Sequence, residues 1–205
     1  MRLSLASIFF IALPAALFAD YKKVVQAAQA AFDRLPSITL VESINGTCGA
    51  NMLVNPQAAY CTSQNTIFLN KHSLSRPETP YLIAHLYGHA SQVQHGVADV
   101  AFAAITSRPD EEQALRGMVT RQVECLAGVF MALADFERSS LKDWYNTEPF
   151  TGSHWGRNPL RIGPEVSIGL GERDKWFQIG QEIMHPEACA VEEMDAQLLI
   201  GAFNG

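Results

Sequence analysis

His85-Leu86-Tyr87-Gly88-His89 sets two imidazoles four residues apart. On a helix that spacing puts both rings on one face, close enough to hold a single metal ion. The flanks predict the helix. Thr79-Pro80 is a start, with Thr79 as N-cap and Pro80 at the first helical position, and Gly96 is a stop, so one helix runs over Tyr81–His95. Tyr87 points away from the His85/His89 face and reads as packing. The residue after the first histidine is Leu86, which dries the site and offers no group to accept a proton from a bound water.

Working outward, Ala58–Cys61 and Thr66–Leu69 flank the polar turn Thr62-Ser63-Gln64-Asn65 and predict a β-hairpin. Ile38-Thr39-Leu40-Val41 is short and β-rich. Tyr21, Val25, Ala28, Phe32 and Leu35 recur at helical spacing before Pro36 ends that helix. A second long helix opens at Asp110-Glu111-Glu112, carboxylates at its positive end, and continues through Leu115, Val119, Gln122, Leu126, Val129, Leu133 and Phe136. Tyr145–Gly171 is rich in Gly, Pro and polar residues and predicts a long loop over a cleft. Arg173–Met184 and Ala188–Phe203 read as two closing helices. The fold class is α+β, mainly helical with a small β-hairpin region, and no repeat or linker divides it.

With 205 residues, 48% of them hydrophobic and 18% charged, the chain suits one globular domain with a sizeable core. A formal net charge of -6 argues against a nucleic-acid surface. Residues 1–19 differ from the rest. Arg2 supplies a positive start, Leu3 to Phe18 is apolar apart from small residues and Pro14, and Ala19 precedes the polar Asp20-Tyr21-Lys22-Lys23. That pattern predicts a secretory signal peptide, too short for a stable span, and places the protein in the periplasm or outside the cell. Leu17, larger than usual three residues before the cut, leaves a retained anchor as the alternative. The domain proper is then 20–205. Four cysteines fit an exported protein with two disulfides: Cys48 and Cys61 are close in sequence, whereas Cys125 and Cys189 would tie a helix to the C-terminal region. Asn45-Gly46-Thr47 matches a glycosylation sequon, a pattern common by chance.

From Cys48 onward the order of motifs resembles the bacterial neutral zinc metallopeptidase family. The matching pieces are Cys48-Gly49 and Tyr60-Cys61, then Ile83-Ala84-His85 with Gly88-His89 and Gln92. Gln122-Val123-Glu124-Cys125-Leu126-Ala127-Gly128-Val129-Phe130 follows, and Arg173, Trp176-Phe177, Gly180, Pro186 and Cys189 close the series. The resemblance implies a zincin-like single domain, zinc as cofactor, and metal ligands His85 and His89. It also supports pairing Cys125 with Cys189. The departures fall on the chemistry. Leu86 stands where the family carries its general-base glutamate, Thr120 where it carries the third zinc ligand, and Glu124 where it carries an aspartate. Ser167-Ile168-Gly169 replaces a histidine-bearing segment.

A zinc site needs at least three protein ligands, and two are plain. Glu124, one turn from Thr120, either serves as a poor third ligand or orients a histidine as an acceptor, and the second role asks for less backbone movement. Thr120 is a packed helix residue on this reading. His154, in the long loop, is a candidate replacement ligand against the plainer reading of a surface histidine. Trp176 and Phe177 belong to the core. No G-x-S-x-G pattern supports serine hydrolysis, and cysteines that pair off leave no nucleophile. Two expectations follow. One is an exported, catalytically impaired metallopeptidase relative with weak zinc binding or none, acting on a peptide or protein ligand as a binding module. The other is a working zinc peptidase with non-standard ligands and base.

Overall fold

A computed structural model describes residues 20–49, 55–152 and 165–205. The predicted signal segment and His154 lie outside the described residues. The elements are α1 (Asp20–Ala31), β1 (Ser37–Val41), β2 (Ala58–Cys61), β3 (Thr66–Asn70), α2 (Thr79–Gln94), α3 (Val97–Ser107), α4 (Glu112–Leu133), α5 (Leu170–Ile183) and α6 (Gln197–Ala202). The class is α+β, as the sequence predicts. No helix among the described residues is long and apolar enough to cross a membrane.

The centre of the molecule is the helix pair α2 and α4. From Thr79 to Gln92 nearly every side chain of α2 is buried, the state of a helix that is apolar all round its circumference. On α4 the buried set runs from Leu115 to Met131. Gly88 lets α2 approach α4, since a Cβ there would meet the Val123 carbonyl. α5 lies on the other side of α4. Gly128 faces the Phe177 carbonyl and Gly180 faces the Cys125 carbonyl so closely that a methyl group fits at neither position. The Cys125–Cys189 disulfide, with Cα atoms 5.4 Å apart, fastens the same region. Cys48–Cys61 closes the second pairing at a Cα separation of 5.8 Å and ties β2 to the loop before it. Both pairings agree with the expectation.

The predicted hairpin is present. β2 pairs antiparallel with β3, Tyr60 opposite Ile67. β1 adds to the other side of β3 in parallel, Ile38 opposite Ile67, giving the order β1-β3-β2. Ile67 and Leu69 point into the core at no exposure.

Several boundaries differ from expectation, each for a local reason. α1 stops at Ala31 instead of reaching Leu35, because Phe32 forms a bridge to Phe203 and Arg34 takes a left-handed turn with φ 61°. Thr79 does not cap α2. It is the first helical residue, and its hydroxyl donates back to the Ser73 carbonyl at 2.5 Å while Glu78 holds the cap position. α4 begins at Glu112, since Pro109–Glu111 form a tighter turn, and it ends at Leu133, where Asp135 turns left-handed. The expected helix over Ala188–Phe203 is broken. Pro186–Cys189 form a 3-10 turn, Val191 bridges Met194, and α6 is only Gln197–Ala202. Within this segment Cys189 is anchored to α4 by its disulfide to Cys125.

Candidate functional site

Three helices and one loop converge on the histidine pair. α2 presents Tyr81, His85 and His89 at spacings of four, the geometry of a single stripe. α4 presents Thr120 and Glu124 at the same spacing, α5 brings Arg173, and the loop after α4 brings Glu148 and Phe150. The His85 and His89 rings stand edge to face with centroids 4.8 Å apart. A small recess of about 10 Å³, room for roughly one water, is lined by His85, His89, Thr120, Phe150, Gly152, Val166 and Arg173.

Behind that pocket lies a buried ionic chain. Glu124, fully buried, receives the Tyr81 hydroxyl at 2.8 Å on one oxygen and the Arg173 guanidinium on the other. The oxygen that meets Arg173 also lies 3.3 Å from His85 Nδ1, the place of an acceptor that orients an imidazole. Burial drives the Glu124 pKa upward, but His85, Arg173 and Tyr81 outweigh it and hold the carboxyl below its ordinary value. Tyr81 is pushed the other way, by burial first and then by the charge of Glu124. Arg173 is 1% exposed and reaches a second carboxylate, its Nε donating to Glu148 at 2.7 Å. Desolvating a guanidinium is costly unless its donors are taken up, and two carboxylates plus the Phe150 carbonyl take them up here.

Glu148 does more than neutralise Arg173. Its oxygens accept from the backbone N–H of Ile168 at 2.9 Å and of Gly169 at 2.8 Å, and from the Ser167 hydroxyl at 2.5 Å. Those groups precede the first turn of α5, so one carboxylate satisfies the start of the helix that carries its own ion-pair partner. Burial raises the Glu148 pKa, and the Ser167, Ile168, Arg173 and Gly169 donors more than reverse that, leaving it lowered.

The residues proposed from sequence fall as follows. His85, His89 and Thr120 share the pocket wall, and Glu124 sits directly behind His85. Leu86, 7% exposed, is packed in the main core cluster. Tyr87 is buried with its hydroxyl on the Pro36 carbonyl at 3.0 Å, a packing role. Trp176 and Phe177 belong to the core, Trp176 at its margin. Sequence reasoning assigned no role to Tyr81, Glu148 or Phe150. Arg173 stands out in the sequence only as a motif residue. The one sequence signal is an arginine three residues before a Trp-Phe pair.

Among the described residues, the donors near the histidine pair are largely engaged elsewhere. The Thr120 hydroxyl donates to the Arg116 carbonyl at 2.9 Å, and the Glu124 charge is matched by Arg173. Among the described residues no group of three His, Cys, Asp or Glu side chains could hold a metal ion. A permanent guanidinium charge on the same pocket further opposes a dication. Compared with protein-family models, curated proteins and solved structures, the chain finds no match.

Proposed function

We propose that this chain is an exported, catalytically impaired relative of the neutral zinc metallopeptidases that keeps the scaffold as a binding module for a polypeptide. The observation that carries the reading is the state of the histidine pocket. Its third-ligand position is a threonine whose hydroxyl is engaged, its nearest carboxylate is spent on Arg173, and the position after His85 is a core leucine. General-base catalysis is worth about 10²–10⁴ in rate, or roughly 3–5 kcal/mol of barrier, and no described side chain replaces it. Two disulfides fit maturation in an oxidising compartment such as the periplasm or the exterior.

Restoration tests the reading. Leu86→Glu with Thr120→Glu returns both the family's base and its third ligand. Leu86→Glu alone adds a base beside a weakly held metal, and Thr120→Glu alone adds affinity without a base. The double variant should exceed the product of the singles in chelator-sensitive cleavage of an unfolded protein substrate, because groups acting as one unit are non-additive. Zinc content should rise from well below one per chain to about one per chain in the variants carrying Thr120→Glu. Leu86→Glu should cost stability, since an unpaired carboxyl enters the core cluster. Tight one-to-one zinc binding by wild type that survives His85→Ala would overturn the proposal. So would wild-type chelator-sensitive activity equal to that of the double variant.

A further inference from the structure

Phe150 is held in a backbone conformation that a phenylalanine rarely adopts. Its φ is 58°, the left-handed region, and its side chain projects into the pocket side of the site. Among the described residues, three rings surround it. His85 lies at a centroid distance of 4.4 Å and 33°, Tyr81 at 6.0 Å in a stacked arrangement, and Tyr145 at 6.2 Å edge to face. The neighbouring chain is pinned on both sides. Glu148 is tied to the start of α5 and to Arg173, and the Thr151 carbonyl accepts from Val166 N–H at 3.0 Å. A change of φ and ψ at Phe150 moves the ring out of its cage and releases its carbonyl from Arg173, while Glu148 and Thr151 hold the flanking chain. Phe150 as a residue is partly exposed, unlike Phe177, which is fully buried in the same core region.

From this geometry we infer that Tyr81, His85 and Tyr145 form a subsite for an aromatic side chain of a bound polypeptide, and that Phe150 fills it as a tethered stand-in for that ligand. The inference rests on reading the pocket as a binding site and names the side-chain class it takes. The cage supplies both stacked and edge-on partners, the two arrangements aromatic rings favour. It abuts the small recess lined by His85 and His89, so an aromatic side chain seated there would border the histidine pair. Departure of Phe150 releases the backbone strain, which offsets part of the loss of its own ring contacts. A tethered ring competes at high effective concentration, so wild type binds free aromatic probes weakly.

The variant Phe150→Gly empties the cage at a position where glycine is unstrained. The full chain is titrated with N-acetyl-phenylalanine amide, N-acetyl-leucine amide and N-acetyl-alanine amide in chelator, following the His85 and Tyr81 ring resonances. Phe150→Gly should bind the phenylalanine amide at least about tenfold tighter than wild type does and about tenfold tighter than it binds the leucine amide. Equal binding of phenylalanine and leucine amides by the variant, binding of neither, or equal affinity in wild type and variant would overturn the subsite. If Phe150→Gly fails to fold, Phe150→Leu keeps an apolar contact and should show an intermediate gain; a folded Phe150→Leu with no gain overturns the inference. Wild type itself should respond to the phenylalanine amide near its solubility limit, and unmoved His85 resonances there count against the cage. Because metal is chelated throughout, a negative titration strikes the aromatic subsite alone. Zinc-dependent cleavage by wild type would strike the binding-module reading and leave the titration result standing.

Discussion

Glu148 illustrates how one side chain can couple a helix start to a buried ion pair. Its four donors come from Ser167, Ile168, Gly169 and Arg173, and they hold its pKa below the 4.5 of a free glutamate. As pH falls the unfolded chain takes up the proton first, so the stability Glu148 contributes is fully present above 4.5 and is lost as pH drops through its lower folded-state value. Glu124 acts in the same direction, because its folded pKa is also lowered. Glu148→Gln should therefore destabilise the protein at neutral pH by roughly 2–3 kcal/mol, since Arg173 loses a buried partner. Chemical denaturation across pH checks this: the gap between wild type and variant should close as pH falls below 4.5. A gap that stayed constant into acid would show that the carboxylate charge is not what stabilises the start of α5.

The crossing of α4 and α5 depends on two glycines more than on any large side chain. Gly180→Ala puts a methyl group against the Cys125 carbonyl, which is helix backbone and cannot step aside. It should cost about 3 kcal/mol or more in urea unfolding, whereas Gly201→Ala, with open space around it, should change stability by under about 1 kcal/mol. The long amphipathic helices, the hairpin and the histidine stripe announce themselves through periodicity and turn residues. β1 read only as a short β-rich stretch, because joining β3 in parallel is a long-range choice that Ile38–Val41 does not encode. The interrupted segment after Pro186 looked helical from its apolar spacing. A tether at Cys189 and a bridge at Val191 decide otherwise. At the site, His85, His89, Thr120 and Glu124 were legible as a group. The Arg173–Glu148 link was not, since it joins residues 25 apart through a side-chain pair with no periodic signal.

At the scale of the whole molecule, the C-terminal third is fastened to α4 by covalent and ionic means together. Cys125–Cys189 closes a separation of 64 residues, and in the chain-entropy model such a closure stabilises by about 4 kcal/mol. Replacing both cysteines by serine should lower the thermal midpoint by roughly 10 °C. A midpoint within about 2 °C of wild type would show that packing alone holds this region. The ionic fastening has a consequence for the order in which the chain comes into being. Glu124 belongs to α4, yet the guanidinium that makes its burial tolerable lies 49 residues later. During synthesis, a nascent chain that has delivered α2 and α4 still lacks Arg173 and Cys189. It would have to bury a bare carboxylate to close its core, which costs several kcal/mol. The early chain is thus kept pliable until α5 arrives. A fragment spanning 20–165 should accordingly show no cooperative thermal transition, and one that melted sharply would mean the core closes without its late-arriving cation.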